Sequence, residues 1–233
     1  MARLPRLILP NLPHHVLQRG NDNQVIFRDA DDYRRLLGWL NDSARLYRVA
    51  IHAYVLMPNS LYLLATPSDE AGLALMMQKL GRLYVPWFNA KYGRSGTLFG
   101  GRFRTSVVDP DHYFLDCVRY IEQGPVRMQL AAAASDYPWS SYAHHAGVQP
   151  DPVITDHAAY WALGNTPFQR EAAYIELAQQ GLSADALETI DKAVLKGAPL
   201  GSHAFKLELE RQTKRAVLPA KRGRPVKVKQ PEA

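Results

Sequence analysis

The sequence predicts an α+β fold in which helices cover an antiparallel sheet, in a ferredoxin-like arrangement. Three observations lead there. Segments with strand character and segments with helical spacing alternate in the order β-α-β-β-α-β-α over the first 134 residues. Two apolar runs between Ile51 and Pro67 are separated only by the turn Met57-Pro58-Asn59. The second run alternates, so Ser60, Tyr62 and Leu64 share one face and Leu61, Leu63 and Ala65 the other.

The elements follow in order. His14 to Arg19 reads as a strand closed by the turn residues Gly20-Asn21-Asp22-Asn23. From Asp29 to Tyr47 an apolar stripe at three- and four-residue steps, through Leu36, Leu37, Leu40 and Ala44, predicts a helix. A second helix is expected from about Ser68 to Lys91, kinked or broken at Pro86. The glycine-rich stretch YGRSGTLFGG reads as a loop feeding a strand from Arg102 to Val108. Asp109 and Pro110 open a third helix, expected to stop at Gly124 because Pro125 follows and glycine is a common C-terminal cap. A short helical run is expected over Val126 to Ala134. Three further helices are predicted at 166–180, 184–196 and 203–215. The chain is therefore divided into a core at 1–150, a helical extension at 151–216 and a basic tail at 217–233, the last expected to be disordered.

With 233 residues, 47% hydrophobic and 21% charged, the chain can bury an ordinary core. The single cysteine, Cys117, excludes an internal disulfide framework and a cysteine-based zinc site, and its expected role is buried packing. Nothing in this cysteine usage requires an oxidising compartment, so the expected location is the cytoplasm. The apolar run Leu7 to Leu9, bracketed by Pro5 and Pro10, is too short for a signal peptide, and no window approaches a membrane span, so a soluble protein is expected. Eight of the 28 basic residues lie at or beyond Arg211, against one of the 22 acids, so the net charge of +6 resides in the tail. Such asymmetry points to a polyanion. Within the tail, Lys221-Arg222-Gly223-Arg224-Pro225 has the form of an AT-hook, an extended segment whose arginines suit a narrow A·T minor groove.

Several segments, in order and over nearly the whole chain, resemble the REP-associated tyrosine transposases of the single-tyrosine HUH superfamily, related to the IS200-like transposases. They are HHVLQRGNDNQVIF, IHAYVLMPN, YGRSGTLFGGRFR, RYIEQGPVR and DYPWSSY, with LGS and KRGRP near the end. The resemblance implies a bacterial, nucleoid-associated protein that handles hairpin or REP-like repeat DNA. In active relatives a helix-borne tyrosine attacks a phosphodiester and forms a 5′-phosphotyrosine link. Two histidines one residue apart hold Mg²⁺ or Mn²⁺, which polarises the phosphate.

Carried onto this chain, the nucleophile position is Tyr120, but the metal positions are changed. Ser60 and Tyr62 stand where the family has its two histidines, Gly124 where it has asparagine, and Phe99-Gly100 where it has Trp-Glu. Serine and neutral tyrosine are poor ligands for a hard divalent ion. No cofactor is expected, and the resemblance combined with these changes implies a DNA-binding protein impaired in nicking. Two alternatives remain: an active transposase with an unorthodox metal site, and an RNA-binding or scaffold protein. Arg94, Arg102 and Arg104 around the glycine-rich loop, Arg119 and Arg127 around the tyrosine, and Lys221, Arg222 and Arg224 in the tail are the expected DNA contacts. A monomer is the favoured state.

Overall fold

The computed structural model describes residues 6–217. Four strands, β1 (His14–Arg19), β2 (Val49–Met57), β3 (Ser60–Pro67) and β4 (Arg104–Val107), form one sheet in the order β2-β3-β1-β4. Every pairing is antiparallel. With α1 (Ala30–Leu46) between β1 and β2 and α2 (Gly72–Lys91) between β3 and β4, this is the expected ferredoxin-like topology.

The alternation of β1 and β3 divides the sheet into two apolar faces. Val16, Leu61, Leu63 and Ala65 pack with Leu36, Leu40, Leu73, Leu80 and Tyr84 of α1 and α2. Leu17, Tyr62 and Leu64 face the opposite layer, built from α3 (Pro110–Glu122), α7 (Pro167–Gln180) and α8 (Ala184–Lys196). Three one-turn helices, α4 (Gly124–Arg127), α5 (Tyr142–His145) and α6 (Ala158–Trp161), lie between α3 and α7 in the chain. A register shift in β2 between Ile51 and Ala53 accommodates His52, which bonds the Thr155 carbonyl and the Thr66 hydroxyl. Ile154 and Leu200 form isolated bridges with Ile51 and Val108, so the sheet's compact unit extends to Gly201. The second unit starts at Ser202 and contains α9 (His203–Thr213), which Ser202 caps by accepting the Phe205 N–H.

Four of the differences from expectation have a local reason. β4 begins at Arg104 rather than Arg102, because Gly101 adopts φ +91 and interrupts the extended backbone. Helix α2 begins at Gly72 and runs unbroken through Pro86, which is exposed, where water can satisfy the carbonyl freed one turn back. The run predicted to reach Ala134 ends at Arg127, and Gln129 at φ +56 turns the chain away. Gly124 is not a left-handed cap: Gln123 ends α3, and Gly124 opens α4 without a positive φ.

A Cβ at Gly124 would meet Met57 Sδ at 3.5 Å, an ordinary contact. Gly124→Ala is therefore expected to raise stability by about 0.5–1 kcal/mol by narrowing the unfolded ensemble. Urea unfolding measures it, and a loss of stability would show that the glycine is required by the backbone. Gly20 is the contrary case, since a Cβ there would lie 2.1 Å from the Gln24 carbonyl oxygen.

Lys221, Arg222 and Arg224 lie outside the described residues. No helix among the described residues is long and apolar enough to cross a membrane.

Candidate functional site

Tyr120 is set by the start of its helix. The Asp109 carboxylate accepts the Asp111 N–H at 3.3 Å, Pro110 occupies the first turn, and the buried stripe Phe114, Cys117, Val118 and Ile121 docks α3 on β2 and β3. That orientation lays the Tyr120 ring over the face of β1 and β3 that carries His15 and Tyr62, with centroids 5.4 and 6.3 Å away. Both tyrosines are buried, at 6% and 7% exposure.

Above them opens a cavity of about 250 Å³. Arg19, Tyr62, Tyr120, Arg127 and Asp191 form its polar side; Val55, Met57, Ile121, Gly124 and Met128 form the apolar side. Arg19 extends from the end of β1 and donates to the Tyr62 hydroxyl at 3.2 Å. Arg127, on α4, donates to the Tyr120 carbonyl at 2.6 Å and stacks over the Tyr120 ring at 4.2 Å. Both arginines are exposed at the mouth. The Tyr120 hydroxyl donates to Asp191 Oδ1 of α8 at 3.2 Å. Burial, followed by the charges of Tyr62 and Asp191, pushes the Tyr120 phenol above its usual value of 10, against the pull of Arg127.

Tyr62, Tyr120, Gly124 and Arg127 thus meet in one cavity, while the other expected residues lie elsewhere. Ser60 pairs with Arg19 across the strands, and its hydroxyl donates to Asn59 Oδ1 at 3.2 Å. Gly100 donates its N–H to the Arg19 carbonyl at 2.9 Å and packs against the Gly20 backbone, away from the cavity lining. Arg94 is held by Asn89 and Gln24, and Arg102 is exposed. Arg104 donates to the Leu195 carbonyl, and Arg119 to the Leu177 and Gly181 carbonyls and to Asp116. These two arginines satisfy carbonyls at the C-terminal ends of α8 and α7.

The cavity does not suit a divalent cation. Its donors are two phenols and one carboxylate, and two guanidiniums stand over them as competing cations. His15 is fully buried with neither ring nitrogen bonded, and no group of three histidine, cysteine or acidic residues with metal-holding geometry occurs among the described residues. A lone imidazole does not make a clamp.

No family model matches the chain, and no curated protein matches it. Among solved structures, a REP-associated tyrosine transposase bound to a REP hairpin aligns over 68% of this chain and 96% of its own, at 17% identity and a TM-score of 0.51. The chain has the fold of this transposase. A candidate transposase from Deinococcus radiodurans R1 aligns over 55% of this chain and 94% of its own, at 15% identity and a TM-score of 0.35, too distant to argue from.

The cavity brings together three polar residues singled out in the sequence, Tyr120, Tyr62 and Arg127, with two that were not, Arg19 and Asp191. Arg19 ends the strand segment HHVLQR, where its i+2 spacing from Leu17 puts it on the same strand face. Asp191, on a helix 71 positions after Tyr120, carried no local signal.

Proposed function

We propose that the chain is a REP-associated tyrosine transposase relative that binds single-stranded hairpin repeat DNA at the Tyr120 cavity and is impaired in nicking. The observation that carries this reading is the pair of exposed guanidiniums, Arg19 and Arg127, over Tyr120 and Tyr62. They sit on a fold shared with a transposase solved on a REP hairpin. Exposed arginines beside buried aromatic rings suit a phosphate backbone with bases close by. Impairment follows from chemistry: without a Lewis acid worth several kcal/mol, cleavage slows by roughly a thousandfold or more. The same reading places the protein in a bacterial cytoplasm, on the nucleoid, as a monomer.

The test is incubation of the full chain with labelled single-stranded hairpin DNA, with Mg²⁺ or Mn²⁺. The expected result is retention of the hairpin with no covalent adduct. A robust adduct abolished by Tyr120→Phe would establish an active transposase instead, and preference for an RNA hairpin would reassign the ligand.

The tail gives an independent prediction. Residues 217–233 contain five basic side chains. Each phosphate neutralised contributes about 0.7–0.9 to the slope of log affinity against log salt. Deleting the segment is expected to flatten that slope by about 2 to 4, read by fluorescence anisotropy between low and moderate salt. Unchanged slope and affinity would remove the tail from the interface.

A further inference from the structure

The Tyr120 cavity is lined by two guanidiniums and has a carboxylate at its edge. Asp191 is half-buried, takes the Tyr120 hydroxyl hydrogen, and lies within charge range of both Arg19 and Arg127. No salt bridge among the described residues joins it to either guanidinium, and all three line the same cavity. Two cations, two phenol hydroxyls and open volume make up a receptor for a tetrahedral oxyanion. A neighbouring carboxylate that acts on the same arginines opposes its entry.

We propose that the cavity binds a phosphodiester of single-stranded DNA between Arg19 and Arg127 without a metal ion, and that Asp191 is the counter-charge the phosphate must overcome. The DNA part of this inference rests on the function proposed above. The anion site does not. Arg19 already donates to Tyr62, so the residue standing at a metal-ligand position serves as an acceptor that orients a cation of the protein's own. Arg127 is fixed by the Tyr120 carbonyl and ring, which presets its position at the mouth. Met57 and Met128 supply an apolar wall for the adjoining base, and Met128 is 59% exposed.

The experiment changes the charge and keeps the shape. Asp191→Asn retains an acceptor for the Tyr120 hydroxyl, and Asp191→Ser tests the same point should the amide pack poorly. The first readout is the melting temperature against inorganic phosphate, with chloride at equal ionic strength as control. Phosphate is expected to stabilise both Asp191 variants more than the wild type, and Arg19→Gln in either background is expected to cancel the gain. The second is affinity for the hairpin in the presence of EDTA, expected to rise about five- to tenfold on removal of one like charge near the site. If neither Asp191 variant gains phosphate stabilisation, or the gain survives Arg19→Gln, the anion site is wrong whatever the DNA does. Phosphate stabilisation without hairpin binding in any variant would preserve the anion site and overturn the phosphodiester of DNA as its ligand. Hairpin binding that EDTA abolishes would overturn the metal-free site and leave DNA binding standing.

Discussion

Acidification from pH 7 to about pH 4 is expected to unfold this protein. Three histidines are held neutral by burial: His14 is lowered to about 4, His15 to about 3 and His52 to about 4. Desolvation dominates in each, and the charge of Arg127 adds to it at His15. The neutral forms are built into the structure. His14 Nδ1 donates to the Leu12 carbonyl while its Nε2 accepts the Leu9 N–H, and His52 Nδ1 donates to the Thr155 carbonyl. Below the ordinary histidine pKa of 6.5 the unfolded chain takes up protons that the folded chain refuses. Stability is therefore complete above pH 6.5 and falls as the pH drops towards 3–4. At about 1.4 kcal/mol per pKa unit, each histidine accounts for about 3 kcal/mol, and together they approach the whole stability of a typical domain. Urea unfolding at a series of pH values measures this. His15→Leu is the matched control, because neither ring nitrogen of His15 has a partner to lose. It is expected to leave stability at pH 7 unchanged or higher and to make the acid loss shallower by about one proton. A midpoint that stays flat from pH 7 to 4.5 would refute the account.

Glu122→Ala is expected to have the next largest effect. Glu122 is fully buried and directly follows Ile121 of the cavity lining, and its carboxylate accepts from Ser141, His145 and Tyr174. Burial, then the charge of Glu122, raises the Tyr174 phenol well above its ordinary value, so it remains a donor. Ser141 also accepts the Tyr54 N–H at 2.9 Å, which links α3, α5 and α7 to β2 through one carboxylate. Truncation leaves several buried donors unsatisfied, and removing one partner from such a network costs about 3–5 kcal/mol. Glu122→Gln should lose less, because it keeps one acceptor and the volume. Equal losses for the two variants would assign the effect to the carboxylate itself, because glutamine keeps the volume, and would show that one retained acceptor does not sustain the network.

The legible parts of this fold were those specified by neighbouring residues. β1 starts and ends as read because alternation and a turn cluster bound it, and Asp109-Pro110 fixes the start of α3. Tyr62 was placed on its face by a period of two alone. What escaped depended on backbone angles at single residues or on distant packing. Gly101 and Gln129 shortened a strand and a helix through positive φ, which residue type suggests in the first case and not in the second. Arg104 and Arg119 look like DNA contacts in sequence because their partners are carbonyls of Leu195, Leu177 and Gly181, and main-chain acceptors leave no trace in a sequence. Asp191 reaches Tyr120 only after α8 has docked.

That last contact has a consequence for biosynthesis. A chain leaving the ribosome presents Tyr120, Arg19 and Tyr62 long before Asp191, and the apolar layer over the tyrosine still lacks Tyr174, Ile190, Val194 and Leu200. A nascent chain of about 155 residues would hold the residues of the first apolar face and leave the second open, with the arginine pair lacking its counter-charge. Helices α6, α7 and α8 thus close the second face of the sheet, α8 completes the cavity with Asp191, and a fragment cut before them would present neither.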